Sequence, residues 1–423
     1  MGSNYDCIIC GCGISGLYAG LALQKKYPTW SIAILEKYKG VGGRTYSYSP
    51  PNNLDITWEM GAGRISTDHK MLISLIKKYH MGMIPLSDEN MYKESDTELI
   101  QNPFTNEYVP LYFSILRMIP TEILQTKTLF EVLQGIYGLE KAHNIVKTFP
   151  YWAEIYSLRA DLALHSFLEG EMNSSKNFFV LKEGFSELIH RLKKDFEEKG
   201  GDVLVRHNVL SVENGEVTME VSDVKKKITT TKKIKKIQYN KICIFALHVD
   251  AIRKIKGICQ MPMLKYVKTS PLFRIYAIFP KPVWFAGLDR VITNERPRYI
   301  IPVNPDKGVI MISYTDGDDT NYYHKIYSKE GDEGLQVAVM KDVRKLFPEI
   351  SIPEPTFFKG HYWETGASYW QPGSYNVEEE SKKSINPFPN IYICGESFSL
   401  RQAWVEGALE QTQLCIDKIL SRN

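Results

Sequence analysis

Gly11, Gly13 and Gly16, the acid Glu36, and the run Gly42, Gly43, Arg44 and Thr45 have the residue types and spacing to hold a nucleotide. Gly11 permits a tight turn, and Gly13 lets backbone N–H groups approach a pyrophosphate. Gly16 lets the following helix lie close to the preceding strand. Ile14 and Ser15 lie in the stretch that opens that helix, whose N-terminus offers unpaired N–H donors and partial positive charge to phosphate. Glu36 lies twenty residues beyond Gly16, where a carboxylate accepts hydrogen bonds from a ribose hydroxyl. Gly42 and Gly43 let a loop lie flat against a cofactor, and Arg44 can reach a phosphate or a flavin edge. The last feature turns the reading from NAD toward FAD.

These residues need particular elements around them. Residues 5–10 read as a buried strand, 17–27 as a helix and 31–35 as a second strand ending on Glu36. Cys7, Cys10 and Cys12 read as small apolar core residues of that strand and its exit. Residues 55–64 read as a loop or strand end returning toward the cofactor. The spacing of apolar residues over 68–79 predicts a helix capped at Thr67 or Asp68. Residues 112–167 read as a helical insertion. Residues 178–184 lead into a helix over 185–199, followed by strands at 202–206, 209–213 and 241–246. An antiparallel sheet is expected from 274–279, 299–303 and 309–314. Strand 390–395 then precedes a terminal helix. The predicted fold is α/β: a Rossmann-like FAD-binding domain of the glutathione-reductase type, plus a mixed α+β substrate domain. The first is discontinuous, made of residues 1–66, 176–262 and 386–423. The second combines a largely helical part, 67–175, with a sheet, 263–385.

The chain has 423 residues, enough for two domains with substantial cores. A net charge of +3 gives no reason to expect nucleic acid or membrane as a partner. The first strand begins almost at the N-terminus, and the seven cysteines are an odd, scattered set. Both favour a soluble protein of the reducing cytoplasm. No cysteine or histidine spacing reads as a metal site. Residues 224–241 carry eight lysines. They read as an exposed hairpin whose charges protect its edge, with binding of an acidic partner as the alternative.

The two ends of the chain together resemble the flavin-dependent amine oxidases, which include monoamine, polyamine and L-amino-acid oxidases and tryptophan 2-monooxygenases. The N-terminal carriers of the resemblance are Gly11 to Gly16, Glu36 and Gly42 to Thr45. The C-terminal ones are the strand ending in Gly395 and Glu396, and the run Trp404, Val405, Glu406, Gly407 and Ala408. Residues 181–213 and 242–247 are similar to the middle of the family. The resemblance implies FAD bound without a covalent link, because Ser374 stands where some members carry a cysteine. It implies that Gly395 and Glu396 lie against FAD, and that Lys37, Gly61, Ala62, Gly63, Val209, Trp363, Trp404 and Val405 help to line its site.

The same resemblance suggests substrate residues. Arg64 matches the arginine with which L-amino-acid oxidases clamp a carboxylate; contact with an FAD phosphate or a neighbouring Glu is the other reading. Trp404 and Tyr375 match two aromatic walls that hold an amine. Arg274 stands where many members have a lysine that assists reaction with oxygen. His361 is a candidate for tuning substrate protonation, while His80, His143, His165, His190 and His248 read as structural. The expected function is FAD-dependent oxidative deamination of an amine, preferably an L-amino acid, by hydride transfer to flavin N5. The products are a 2-oxo acid and ammonium, with hydrogen peroxide if O2 is the acceptor. A monoamine or polyamine oxidase, a tryptophan-2-monooxygenase-like enzyme and a non-catalytic FAD-binding scaffold are the alternatives. A homodimer is compatible with this reading.

Overall fold

A computed structural model describes residues 4–51, 55–86, 89–103, 111–168, 177–225 and 229–421. The chain opens with β1 (Asn4–Cys10), α1 (Ile14–Lys26) and β2 (Ile32–Glu36). Residues 7–10 of β1 and all of β2 are buried, as expected of strands covered on both faces of a parallel sheet.

β1 and β2 are central in a seven-stranded sheet. Strand Asp202–Val205 pairs with β2, and strand Thr229–Phe245 pairs with β1, all in parallel. The long strand Thr229–Phe245 changes partners along its length. Gln238 and the residues before it pair antiparallel with strand Glu216–Lys225, whereas residues 243–245 pair in parallel with Ile391–Ile393. The sequence reading placed this strand only at 241–246. It extends because Glu216–Lys225 supplies a partner for the lysine-rich part. Lys232 and Lys236 there are exposed and pair with Glu220 and Glu216, in keeping with a solvated hairpin; its tip, residues 226–228, lies outside the described residues.

A second seven-stranded sheet runs in the order Phe357–Trp370, Val267–Ile278, Val309–Asp316, Tyr299–Asn304, Arg290–Ile292, Asn90–Tyr92, Ile100–Gln101. Helix Thr320–Leu346, broken by non-helical backbone at Gly331, covers one face. That face gathers Phe273, Ile275, Ile310 and Ile312 against Leu335, Val339 and Val343. The sequence reading did not identify this helix. Side chains alternate along a strand, so Arg274 emerges on the opposite face. Its cross-strand partners there are His361 and Tyr314, and Tyr314 in turn partners Tyr299.

Residues 121–166 form short helices, among them Leu129–Tyr137, Leu139–Val146, Trp152–Tyr156 and Ala160–Ser166. Thr128 and Glu131 form a reciprocal capping box on the first of these. The helical reading of 112–167 matches these elements. The cap expected at Thr67 or Asp68 does not: the N-cap of helix Lys70–Lys78 is His69, with no side-chain cap of its own. Glu406 supplies the acceptors instead, from Met71 N at 2.8 Å and Leu72 N at 2.9 Å.

Candidate active site

The turn after β1 has the geometry its glycines suggested. Gly11 has φ +106°, and a Cβ there would lie 2.4 Å from the Ala246 carbonyl oxygen. A Cβ on Gly16 would lie 2.0 Å from the Gly11 oxygen. Gly13 caps α1 through its backbone, with no side-chain cap bond, so the first-turn amides face outward as an anion site does. Ile14 and Ser15 occupy that turn and are buried. Gly42 N donates to Cys12 O at 2.8 Å, bringing the Gly42, Gly43 loop onto the turn. Glu36 is buried and accepts from Cys12 N at 3.0 Å and Tyr38 N at 2.8 Å. Burial raises its carboxyl above the usual range. Lys37 is exposed over the Tyr38 ring, and Val209 is half-buried in strand His207–Glu213 beyond the end of β2. A glycine turn, a helix start with uncapped amides and a buried acid are the features that suit a nucleotide diphosphate and ribose.

The C-terminal motif closes on this cradle. Arg44 pairs with Glu396 at 2.9 Å and donates to Gly366 O at 3.1 Å. Glu396 also accepts from Ser368 N, Ser368 Oγ and Ala403 N at 2.8–3.0 Å. Ala403 has φ +64°, a strained conformation for a residue with a Cβ. Glu396 thereby pins the turn that delivers Trp404 to the start of helix Val405–Leu420. Gly395, with φ +103°, lies close to Ser15. Gly61 and Ala62 return to the Gly42–Thr45 loop: Ala62 N donates to Arg44 O at 2.9 Å, and a Gly61 Cβ would lie 2.1 Å from that oxygen. Trp363 Nε1 donates to Met60 O at 2.8 Å.

Arg64 is half-buried within a ring of aromatic faces. Its guanidinium carbon lies 5.0 Å from the Phe178 ring centre, 5.3 Å from Tyr151 and 5.4 Å from Trp404. The His69 ring meets Trp404 edge-on at 5.0 Å. Tyr151 meets Tyr314 at 5.7 Å, and Arg274 lies over the far side of that pair, 5.4 Å from Tyr314. Arg274 also donates to Glu59 O at 3.2 Å, and its Nη1 would meet a Cβ on Gly63 at 3.2 Å. Arg64 and Trp404 are thus brought together, with Arg274 one aromatic pair away.

Tyr375 is placed elsewhere. It stacks on Tyr266 at 4.0 Å, lies under Arg159 and donates its hydroxyl to Gln371 O at 2.5 Å. The expectation that it faces Trp404 is corrected on these contacts. Strand Phe357–Trp370 ends five residues earlier, and the following turn carries Tyr375 away. Tyr369 is the buried tyrosine that the strand retains, and Ser368 precedes it. His361 accepts from the Trp58 indole at 2.9 Å inside an aromatic cluster. Burial lowers its pKa to about 3, so it stays neutral near neutral pH and does not tune substrate protonation.

Sequence reading missed Tyr151, Phe178 and Tyr314, which lie on three separate elements with no shared spacing. It also missed two carboxylates that hold helix starts. Glu59 accepts from Phe185 N at 2.8 Å, and Asp316 accepts from Trp152 N at 2.7 Å. Burial raises both to about 7. Among the described residues no group of three or more His, Cys, Asp or Glu could hold a metal ion. No described helix is long and apolar enough to cross a membrane.

The family model for flavin-containing amine oxidoreductases matches residues 14–111 and 127–415. A flavin-dependent L-tryptophan oxidase, RebO, of Lentzea aerocolonigenes is 21% identical, with 97% of each chain covered. An L-amino-acid oxidase of Siganus canaliculatus is 23% identical over 95% of this chain and 83% of its own. A putrescine oxidase structure with putrescine bound superposes with a TM-score of 0.77 at 18% identity, covering 99% of each chain.

Proposed function

The chain belongs to the flavin-containing amine oxidoreductases, and from that premise we propose that its site oxidises L-amino acids with non-covalently held FAD. The observation that carries this reading is Arg64, a guanidinium faced by Phe178, Tyr151 and Trp404 at 5.0–5.4 Å. Aromatic faces stabilise the cation and fix its plane. A planar guanidinium held this way presents parallel N–H donors to a carboxylate, and a charged hydrogen bond of this kind contributes about 1.5–3 kcal/mol. Two full-length relatives are named as amino-acid oxidases, which supports the same choice.

The turn from Gly11 to Gly16 and the acid Glu36 would hold the diphosphate and ribose, while Gly395 and the start of helix Val405–Leu420 would meet the ring system. When bound, the flavin supplies the hydride acceptor at N5. Arg64 orients the α-carbon by its carboxylate. Trp404 and its aromatic neighbours exclude water from the amine. Loss of the α-hydride and an amine proton leaves an imine, which water converts to a 2-oxo acid and ammonium. Oxygen is the proposed acceptor, giving hydrogen peroxide. Arg274 brings a planar guanidinium to 5.4 Å from the Tyr314 ring, in place of the compact ammonium of a lysine. Ser368 precedes the strand tyrosine and is bonded by Glu396, and Ser374 precedes Tyr375, so neither position offers a thiol for a covalent link.

The test is a substrate pair: an L-amino acid and the amine it leaves on decarboxylation, assayed anaerobically for flavin bleaching and in air for peroxide. A strong preference for the amino acid is expected. Preference for the plain amine would overturn the reading.

A further inference from the structure

The distance between Arg64 and Trp404 depends on two chain segments that are remote in sequence. Arg64 precedes helix Lys70–Lys78, and Trp404 precedes helix Val405–Leu420. The starts of these helices are fastened to each other. Glu406, 1% exposed, accepts from Met71 N and Leu72 N at 2.8 and 2.9 Å. The His69 ring, between Arg64 and that helix, packs on Trp404 at 5.0 Å. A Cβ on Gly407 would lie 1.8 Å from Arg401 O, so the turn beside Glu406 has no slack. Arg401 and Asp68 add an ion pair at 3.0 Å, but both are about one-third exposed and contribute little.

The other two faces around Arg64 are held in the same manner. Asp316 caps helix Trp152–Tyr156, which begins directly after Tyr151. Glu59 caps helix Phe185–Glu198, which follows the strand bearing Phe178. These two aromatic walls therefore precede helices whose first amides are bound by carboxylates from elsewhere in the chain, whereas Glu406, in the first turn after Trp404, reaches out to the start of helix Lys70–Lys78. A side chain close in sequence could cap each helix without fixing its position. A cap from a remote element does both.

The geometry points to Glu406 as a positioning residue: by binding the Met71 and Leu72 amides it sets the placement of Arg64 against Trp404, and with it the affinity for the substrate's carboxylate. This rests on the amino-acid reading above for the identity of that substrate. Glu406 touches no reacting atom, so its loss changes KM far more than kcat.

Glu406→Ala and Glu406→Gln test this in the flavin-loaded enzyme, with amide exchange at Met71 and Leu72 alongside steady-state kinetics. Gln keeps one of the two acceptors, so a graded response is expected. The Ala variant should lose protection at both amides and raise KM for the L-amino acid about 10-fold, with kcat within about 2-fold. The Gln variant should fall between it and wild type in both readouts. Faster exchange with unchanged KM would overturn the proposal, as would parallel losses in kcat and KM. If only a decarboxylated amine is turned over, the amino-acid reading fails by itself. The positioning role is then read with that amine through Trp404, the wall whose placement Glu406 also sets, and an unchanged KM overturns it.

Discussion

Arg44 and Glu396 are 352 residues apart and form an ion pair of 2.9 Å. The pair joins the N-terminal glycine loop to the C-terminal turn, and Glu396 carries three further hydrogen bonds to Ser368 and Ala403. The first prediction concerns this junction. Arg44→Met removes one partner from a carboxylate that is only 6% exposed. With Arg44 itself 27% exposed, the expected loss is about 1–2 kcal/mol. Urea unfolding of the purified protein gives the stability, and the flavin-to-protein absorbance ratio should fall with it. A variant with full flavin content and unchanged midpoint would show that the junction is incidental.

Arg64→Ala should erase discrimination between an amino acid and its decarboxylated amine. A loss of about 1.5–3 kcal/mol corresponds to roughly 10- to 150-fold in kcat/KM for the amino acid. The value for the amine should change little. Arg64→Lys should recover only part of the effect, because a point charge does not reproduce the parallel donors.

Glu59 and Asp316 make stability depend on pH in an uncommon direction. Burial raises both from ordinary carboxyl values of 4.5 and 3.8 to about 7. The folded state therefore favours their protonated forms. Their contribution is fully present below about pH 4 and is lost as pH rises through about 7. Glu59→Gln keeps an acceptor for Phe185 N and removes the titration. Its unfolding free energy should vary less between pH 4.5 and 7 than that of wild type, by on the order of 1–3 kcal/mol. Urea midpoints at pH 5 and pH 8 measure this; identical slopes for the two proteins would contradict the assignment.

Gly16→Ala places a methyl about where the Gly11 carbonyl oxygen stands, 2.0 Å from the ideal Cβ. Helix α1 must then move off β1, and flavin retention should be lost together with about 2 kcal/mol or more of stability. Gly135→Ala is the control. It lies inside helix Leu129–Tyr137 with nothing within 4 Å of its Cβ, so flavin content should be unchanged and stability should hold or rise by up to about 1 kcal/mol. Flavin content after gel filtration should separate the two variants.

The sequence by itself determined the glycine turn between β1 and α1 and the place of Glu36 beside it. Turn, helix and acid are consecutive there, and steric rules act on neighbours: only glycine fits at Gly11 and Gly16, and the end of β2 carries Glu36 to the turn. The flavin family was also legible, because two local motifs survive at opposite ends of the chain. Arg64 and Trp404 were legible one at a time. Their meeting was decided by tertiary structure, as were the aromatic faces of Tyr151 and Phe178. Those residues come from separate elements, and no spacing relates them. Tyr375 shows the limit from the other side, since an aromatic at a plausible spacing is carried away when its strand ends at Trp370. Helix caps follow the same division. Thr128 and Glu131 cap their own helix and could be read locally. Glu406, Glu59 and Asp316 reach helices far along the chain, because burial of those helix starts leaves amide donors that only a folded neighbour can satisfy.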